Sequence, residues 1–339
     1  MKRKIVFLIC VLLVFITGSK AQKTKYPIRK TDAPVNHYKT LGQLDTSPDQ
    51  AFSWMDTIQF PAKDVTTGIL AATKMRTVYL IEDVPALLQI PAPPANSSVQ
   101  TRAELDYMLE LQNKRTSIET ERYKKLAGIF HSPNNFNPYD PDYDRNFSSL
   151  FHIGSPLGNW YTYKNLPFTA QFLSDVYRDA TYYFFKLKLS INRARPYMLE
   201  PKLKFLEKPP HPSYPSGHSA ASYVNAYIMM EIIPELSNEF LKLAAEMAYS
   251  REVIGVHYPS DSEVSRVWAR KFVNELFSKE RFQLDFEKAK MEILDWRKTA
   301  GRNQDKTEDK KEYNSSCDSS CNNSCSTSCC AGASCCNDQ

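Results

Sequence analysis

The feature of this sequence that most constrains its fold is a long stretch of helical periodicity. Residues 169–192 contain neither glycine nor proline, and large apolar side chains recur there every three or four positions. Such positions share one face of a helix, so the stretch predicts one long amphipathic helix, which Pro196 is expected to stop. Apolar spacing predicts a helical pattern over 101–128 and further helices over 217–233, 236–256 and about 263–297. No strand alternation of comparable length occurs. We therefore predict an all-α fold with a single helical-bundle domain.

The first 21 residues have the pattern of a signal peptide. Basic residues at 2–4 precede an apolar run over 5–17, and small residues favour cleavage after Ala21. An uncleaved N-terminal anchor is the alternative, although the run is short for a membrane span. No later apolar run is long enough to cross a bilayer, so we expect no integral membrane span after cleavage. A periplasmic or secreted protein is the expectation that follows.

Composition divides the chain into four parts. The signal peptide over 1–21 is followed by an irregular N-terminal extension over 22–84, an all-α domain over 85–297, and a polar linker with a Cys-rich tail over 298–339. The tail is dominated by Ser, Asn and Cys, which cannot build a core. We therefore expect a disordered C-terminal tail.

Cysteine is absent between residues 11 and 316. The folded body therefore has no cysteine nucleophile, no internal disulfide and no zinc–thiolate site. Seven of the eight cysteines lie between Cys317 and Cys336. Metal binding and disulfide cross-linking are the alternatives to a disordered tail at that end.

Net charge says little about macromolecular partners. The whole chain carries a formal charge of +5, but the four basic residues of the signal peptide supply most of it. From residue 22 onward 39 basic residues face 38 acidic ones. We therefore expect no nucleic-acid-specific binding.

The first of three clusters pairs Lys188 with Arg195. Their separation of seven residues is two helical turns, so both cations are predicted to point to one side of a helix. Two cations beside a pocket suit an anion with several oxygens, such as phosphate. Taken alone, the pair is more simply interpreted as two residues on a solvated helix face.

The second cluster is the Ser-Tyr-Pro-Ser-Gly-His sequence over 213–218. Ser216 is suited to cap the helix that follows, and Gly217 lets the backbone approach a ligand closely. The free amides of that helix start form an anion site with the helix dipole, and His218 would lie in the first turn beside it. Taken alone, this is more simply a helix start with an incidental histidine.

The third cluster contains Arg251, His257 and Asp261. Arg251 adds a third cation. A histidine becomes a nucleophile when a carboxylate holds its other ring nitrogen, and Asp261, four residues after His257, can be that carboxylate. Taken alone, a His and an Asp at this spacing are more simply surface residues.

Together the clusters form one ordered pattern of Lys-x6-Arg-Pro, Pro-Ser-Gly-His and Ser-Arg-x5-His-x3-Asp. This pattern resembles the type 2 phosphatidic acid phosphatase (PAP2) superfamily, which includes bacterial class A non-specific acid phosphatases, membrane lipid phosphatases and vanadium haloperoxidases. The resemblance covers about residues 85–265, and the class A acid phosphatases look most similar. Pro212 and Ser219 stand where those enzymes usually have Gly and Thr, which puts the substrate range in question.

The resemblance implies a fold of the PAP2/acid phosphatase/haloperoxidase type and a role for each matching residue. His257 would attack phosphorus and form a phosphohistidine, Asp261 would orient His257, and His218 would protonate the leaving alkoxide. Five groups would hold the phosphate: Lys188, Arg195, Ser216, Gly217 and Arg251. No metal or other cofactor is expected, although vanadate could occupy the phosphate site.

The leading hypothesis is an exported, metal-independent acid phosphatase of broad range that acts on small phosphomonoesters. A vanadate-dependent haloperoxidase uses the same residue types, so the motifs alone do not separate the two. The remaining alternatives are a lipid phosphate phosphatase at a membrane surface and a non-catalytic protein displayed through its Cys-rich tail. The sequence also leaves room for a homo-oligomer.

Overall fold

The structure is a computed structural model, and it describes most of the chain. The backbone is described for residues 29–30, 36–130 and 139–320, and the side chains for residues 29–30, 39–130 and 139–300. Within these ranges the chain is mostly helical, and the strand-like pairing consists of one isolated antiparallel bridge between Gln59 and Arg193. The predicted all-α fold is confirmed. The predicted signal peptide and the tail beyond residue 320 lie outside the described residues.

The described ranges contain the following α-helices: α1 (Asn36–Leu41), α2 (Thr67–Ala72), α3 (Val99–Lys114), α4 (Ser117–Ala127), α5 (Tyr143–Leu150), α6 (Pro167–Ile191), α7 (Pro196–Leu199), α8 (Gly217–Ile232), α9 (Ser237–Val253), α10 (Pro259–Phe277) and α11 (Glu280–Ser320). Short 3₁₀ helices occur at Gln50–Thr57, Ala62–Asp64, Pro85–Leu88, Ser155–Leu157 and Pro234–Leu236.

Helix α8 lies at the centre of the bundle. It packs most extensively against α9 and α10, and it also contacts α6. Small side chains such as those of Ala220 and Ala226 are completely buried along α8, and their size lets neighbouring helices approach closely. Helix α6 packs in turn against α11, whose Phe282, Phe286 and Ile293 enter the core. The catalytic candidates all lie at the ends of α6, α8, α9 and α10.

The long predicted helix over 169–192 is confirmed as α6, but its end has a different cause. Asn192 adopts the left-handed conformation with φ 55°, and its N–H donates to the Lys188 carbonyl at 2.9 Å. Asparagine tolerates this conformation and commonly ends helices in this way. Pro196, which was expected to stop the helix, instead begins α7.

Two other predicted helical stretches are each divided in two. The pattern over 101–128 breaks at Thr116, whose hydroxyl accepts from the Glu119 N–H at 3.1 Å while the Glu119 carboxylate accepts from the Thr116 N–H at 2.9 Å. This capping box begins a new helix. The stretch over 263–297 contains the end of α10 and the start of α11, and α11 extends beyond it to Ser320. Apolar periodicity misses such breaks because both helices turn an apolar face to the protein interior.

The N-terminal extension contributes to the main core. Tyr79 and Leu80 are almost completely buried in it. The Asp179 carboxylate of α6 accepts the N–H groups of Val78, Tyr79 and Leu80 at 2.6, 2.8 and 2.9 Å. The described part of this extension therefore packs on the bundle and shares its core.

Candidate active site

Lys188 lies in the last turn of α6 and is completely buried. Its ammonium donates to the carbonyls of Pro212 and Ser213 at 3.1 and 3.0 Å. These carbonyls belong to the loop before α8, so Lys188 joins the end of α6 to the start of α8. Burial, and then the charge of Arg195, hold the pKa of Lys188 well below its usual value.

Arg195 lies outside α6, and so the helical-spacing argument that placed it beside Lys188 is wrong. It precedes α7, and its guanidinium donates to the His211 carbonyl at 3.0 Å and to the Val256 carbonyl at 2.7 Å. The two cations come close because the 211–213 loop accepts hydrogen bonds from both. Burial is the main cause that lowers the pKa of Arg195 to about 10.

The turn after α9 brings Arg251 and His257 together. Gly255 has φ +81°, and a Cβ at this position would lie 3.3 Å from the Phe205 Cα. The Arg251 carbonyl accepts the N–H groups of Val256 and His257 at 3.1 and 3.3 Å. A residue with a side chain would strain this turn, so glycine is required where the chain reverses.

The guanidinium of Arg251 is 1% exposed and only partly paired. Its Nη2 donates to Glu207 at 2.7 Å, whereas its Nε and Nη1 are buried and find no hydrogen-bond partner in the described part of the chain. An unsatisfied buried donor costs about 1–3 kcal/mol, and more when it is charged. Arg251 therefore presents two unused charged donors beside the other cations.

His257 is fixed between a carboxylate and a cation. Its Nδ1 lies 2.9 Å from Asp261 Oδ2, and its Nε2 lies 3.0 Å from Arg195 Nη1. A guanidinium can only donate, so Nε2 accepts and Nδ1 carries the proton that is donated to Asp261. Burial, followed by Arg195, places the pKa of His257 well below its usual value. The imidazole is therefore neutral, with the lone pair on Nε2.

Asp261 occupies the first turn of α10, where the helix dipole favours a carboxylate. Besides His257, its Oδ2 accepts the Tyr258 N–H at 3.1 Å and the Ser213 hydroxyl. Its Oδ1 pairs with Arg193 at 2.7 Å. Both oxygens are thus satisfied, which fixes the plane of the carboxylate.

His218 lies in the first turn of α8 and is half-buried. Its Nε2 lies 3.1 Å from the Ala127 carbonyl at the end of α4. Since a carbonyl only accepts, Nε2 carries a proton. His218 is also the last of the groups that lower the pKa of His257, after burial and three cationic side chains.

Ser216 and Gly217 begin α8 as predicted. The Ser216 hydroxyl accepts the Ser219 N–H at 3.4 Å, as an N-cap does, and also the Ser219 hydroxyl at 2.9 Å. A Cβ at Gly217 would lie 3.3 Å from the Phe184 ring. Close packing of α8 on α6 is thus a second reason for glycine here, besides approach to a ligand.

Several residues of this site escaped the sequence-based prediction. They are Glu104, Arg193, Glu207, His211 and Ser213. Arg193 lies inside the Lys-x6-Arg motif and Ser213 begins the second cluster, but neither was assigned a role. Glu104 looks like any helical acid and lies 89 positions before Arg193. Among the described residues, no group of three or more His, Cys, Asp or Glu side chains could hold a metal ion.

The sequence around these residues matches a known protein family. The sequence model of the PAP2 superfamily matches residues 170–279, a range that contains all eight predicted site residues. Residues 170–279 are thus similar to the PAP2 superfamily. Along the described helices, no segment of this chain is both long and apolar enough to cross a bilayer.

The chain is also similar in sequence to bacterial acid phosphatases. The chain is 38% identical to a non-specific acid phosphatase of Providencia stuartii over 86 residues, which are 25% of this chain and 35% of that protein. It is 27% identical to a non-specific acid phosphatase of Salmonella typhi over 227 residues, which are 63% of this chain and 82% of that protein. The match to the Providencia protein thus spans about a third of that relative.

A solved structure shares the fold. The crystal structure of a bacterial vanadium-dependent iodoperoxidase superposes with a TM-score of 0.50 at 20% sequence identity, covering 72% of this chain and 64% of that chain. At this identity the likeness concerns the architecture of the helices. The predicted fold of PAP2/haloperoxidase type is confirmed.

Proposed function

We propose that this chain is a phosphomonoesterase that works through a phosphohistidine intermediate on His257. The arrangement around His257 carries the proposal, with Nδ1 bonded to Asp261 at 2.9 Å and Nε2 against the buried Arg195 at 3.0 Å. A neutral imidazole held by a carboxylate is a nucleophile. Buried cations around it provide the charge that a phosphate dianion requires.

The phosphate would lie among Lys188, Arg195 and Arg251. The two unpaired nitrogens of Arg251, Nε and Nη1, support this role, because their N–H groups gain charge-assisted hydrogen bonds when an anion enters. The first turn of α8 adds the Gly217 amide beside Ser216, at the positive end of the helix dipole. An anion would also relieve the repulsion among the three cations.

In the first chemical step the Nε2 lone pair of His257 forms a bond to phosphorus while the bond to the ester oxygen breaks. The bonding electrons leave with that oxygen, and His218 donates a proton to it, so an alcohol departs. Because Nε2 of His218 is held by the Ala127 carbonyl, Nδ1 would deliver this proton. Asp261 stabilises the positive charge that develops on His257.

In the second step water replaces the enzyme on phosphorus. His218, now neutral, accepts a proton from the water as its oxygen bonds to phosphorus, and the N–P bond returns its electrons to Nε2. Inorganic phosphate is then released. The two histidines need opposite protonation states at the outset, so we expect a bell-shaped profile with its optimum at acidic to neutral pH.

The wider properties of the enzyme belong to the same proposal. Three buried cations and a helix terminus supply the charge stabilisation for which other phosphatases use metal ions, which supports a metal-independent reaction. We propose a broad range of small phosphomonoester substrates. The signal-peptide pattern over 1–21 supports export to the periplasm or the medium.

A panel of phosphomonoesters assayed with EDTA, with and without vanadate, tests the proposal. We expect hydrolysis that EDTA leaves unchanged and vanadate inhibits, together with an acid-labile phosphoenzyme that is absent from His257→Gln. Halide oxidation by peroxide that requires added vanadate would instead identify a haloperoxidase. Hydrolysis confined to lipid phosphates in vesicles would identify a lipid phosphatase, and no hydrolysis of any phosphoester would overturn the proposal.

A further inference from the structure

A buried network of charges lies behind Asp261, on the side away from His257. Arg193 donates from Nη1 to Asp261 Oδ1 at 2.7 Å, and its Nη2 lies 3.3 Å from Glu104 Oε2. The side chains of all three residues are at most 1% exposed. Glu104, Arg193 and Asp261 thus form a row of charges of alternating sign. The last of them, Asp261, contacts the imidazole of His257.

Each end of this network is held by further contacts. The Glu104 carboxylate of α3 accepts the Ser260 N–H at 2.8 Å and the Ser260 hydroxyl at 2.9 Å, in the first turn of α10. The guanidinium of Arg193 stacks on the Tyr258 ring, 3.8 Å from its centroid. These contacts restrict the conformation of the Arg193 side chain, so the direction of its hydrogen bond to Asp261 is fixed.

The backbone of Arg193 is also part of the site. Its carbonyl accepts the Ser213 N–H at 3.0 Å, and the Ser213 hydroxyl donates to Asp261. Arg193 therefore contacts the Asp261 carboxylate directly through its side chain and indirectly through Ser213. A displacement of Arg193 would be transmitted to Asp261 by both routes.

Burying charges of this kind costs more than it contributes to folding in many proteins. Apolar side chains of similar volume would serve stability equally well or better. An ion pair that is retained in the core beside a nucleophile thus calls for another explanation. Here the negative charge of Glu104 offsets the positive charge of Arg193. The negative charge of Asp261 therefore remains available to interact with the Nδ1 proton of His257.

We propose that Arg193 and Glu104 are positioning residues that act on His257 through Asp261. Arg193 holds the Asp261 carboxylate in the plane of the imidazole, and Glu104 neutralises Arg193 so that this carboxylate can still stabilise the charge that develops on His257. This inference rests on the proposed phosphohistidine mechanism. Neither residue touches the phosphate.

Other charged groups also act on His257, and any pH effect must be judged against them. Burial lowers the pKa of His257 most, followed by cationic and histidine neighbours. The groups that face the imidazole or Asp261 are Lys188, Arg195, Arg251, His211, His218 and Tyr258. All of these stay unchanged in the variants below, so differences between variants report the network.

The first arm of the test measures pH profiles of Arg193→Gln and Glu104→Gln. Without Arg193 the negative charge of Asp261 acts on His257 unopposed and raises the pKa of its imidazole. The acidic limb of the pH profile of kcat/KM should therefore move to higher pH by about 0.5 pH unit or more.

In Glu104→Gln the amide mimics the protonated acid, so kcat should fall about tenfold at neutral pH and approach the wild-type value at acidic pH. Burial raises the pKa of Glu104, which brings this convergence into an accessible range. KM should change little.

Controls keep the test decisive. Arg102→Gln removes a partly exposed arginine of α3 that pairs with Glu200, and it should leave both profiles unchanged. Arg193→Lys keeps the charge but cannot bridge two carboxylates, so the pH profile should be restored while kcat stays low. If Arg193→Gln does not fold, the double variant with Glu104→Gln removes the unpaired charge of Glu104 and should show a smaller upward shift, because the two removed charges are opposite in sign.

A uniform loss of kcat without any change in the pH profiles would overturn the inference, because a structural role alone would produce it. If wild type hydrolyses no phosphoester, the proposed function fails, and the inference is tested separately by the ¹⁵N titration of the His257 imidazole. We expect that titration to move to higher pH in Arg193→Gln. An unchanged titration overturns the charge coupling whatever the reaction proves to be.

Discussion

The two sides of His257 differ in how their charges are balanced. On one side Asp261, Arg193 and Glu104 alternate in sign, and each lies within 3.3 Å of an opposite charge. On the other side the cations of Lys188 and Arg195 are held by neutral carbonyls at 2.7–3.1 Å. Carbonyl dipoles hold a cation in place without cancelling its charge. The charges of the first side offset one another, although Arg193 Nε and the Tyr258 hydroxyl have no hydrogen-bond partner among the described residues, whereas the second side has an excess of positive charge.

Arg251 makes the contrast sharper. It pairs with Glu207, whose side chain is 22% exposed, but two of its buried nitrogens, Nε and Nη1, have no partner among the described residues. Buried polar groups in native proteins are nearly always satisfied. Because these nitrogens add to an excess of positive charge, we expect the anion to bind on the cationic side, and we expect the carboxylate side to orient His257.

The largest expected effect comes from the residues where the two sides meet. His257→Gln should lower kcat by about 10⁴-fold or more, because no nucleophile replaces the imidazole. Asp261→Asn should lower it by about 10³- to 10⁴-fold, since an amide no longer favours the protonated Nδ1. Steady-state hydrolysis of an aryl phosphate measures both. Activity within tenfold of wild type in either variant would contradict the assigned roles.

Next in size is the stability loss on the paired side. Arg193→Ala should lower the free energy of unfolding by about 3–5 kcal/mol, because it leaves Glu104 and Asp261 buried without their cation. Urea denaturation followed by circular dichroism measures this. Arg102→Ala, which removes a partly exposed arginine from a neighbouring element, serves as the control and should change stability by less than about 1 kcal/mol. Equal effects of the two changes would remove the distinction.

The cationic side should respond in the opposite way. Arg251→Ala should lower kcat/KM about 10²- to 10³-fold, because it removes hydrogen-bond donors for the phosphate. The free energy of unfolding should change by less than about 1 kcal/mol, because the substitution also removes the repulsion between Arg251 and the cations of Lys188 and Arg195. Kinetics and denaturation on the same preparation give both numbers. A large stability loss with unimpaired turnover would mean that Arg251 serves the fold.

The smallest expected effect is on the pH dependence of stability. Burial and nearby cations lower the pKa of both His257 and His211 well below the usual value. Below about pH 6.5 the unfolded chain binds protons that the native site does not, so this contribution is complete above pH 6.5 and is lost as pH falls. Each histidine adds a slope of up to about 1.4 kcal/mol per pH unit.

Denaturation curves between pH 7.5 and 5 test this expectation. His211→Gln should reduce the slope of the free energy of unfolding against pH by the contribution of one histidine. Saturating phosphate should reduce this slope further, because the bound anion favours protonated His257. Identical slopes in wild type and His211→Gln would show that His211 is protonated in the native site as readily as in the unfolded chain.

Local features of the site were predictable from the sequence because they depend on neighbours in the chain. Helical periodicity predicted α6 and α8 almost to their ends. The contact of His257 with Asp261 was predicted from the complete motif, and it forms because Asp261 lies in the first turn of α10, four residues after His257. The capping role of Ser216 followed from its place before Gly217.

Only the tertiary structure decided which distant groups meet. Arg195 joins Lys188 through carbonyls of the loop before α8, and not through helical spacing. Glu104 reaches Arg193 from α3, where no local pattern distinguishes it from a solvated acid. The unpaired donors of Arg251 are likewise visible only once every neighbour is in place. Sequence periodicity reports which face of an element is apolar, whereas the balance of charge in a buried site depends on elements far apart in the chain.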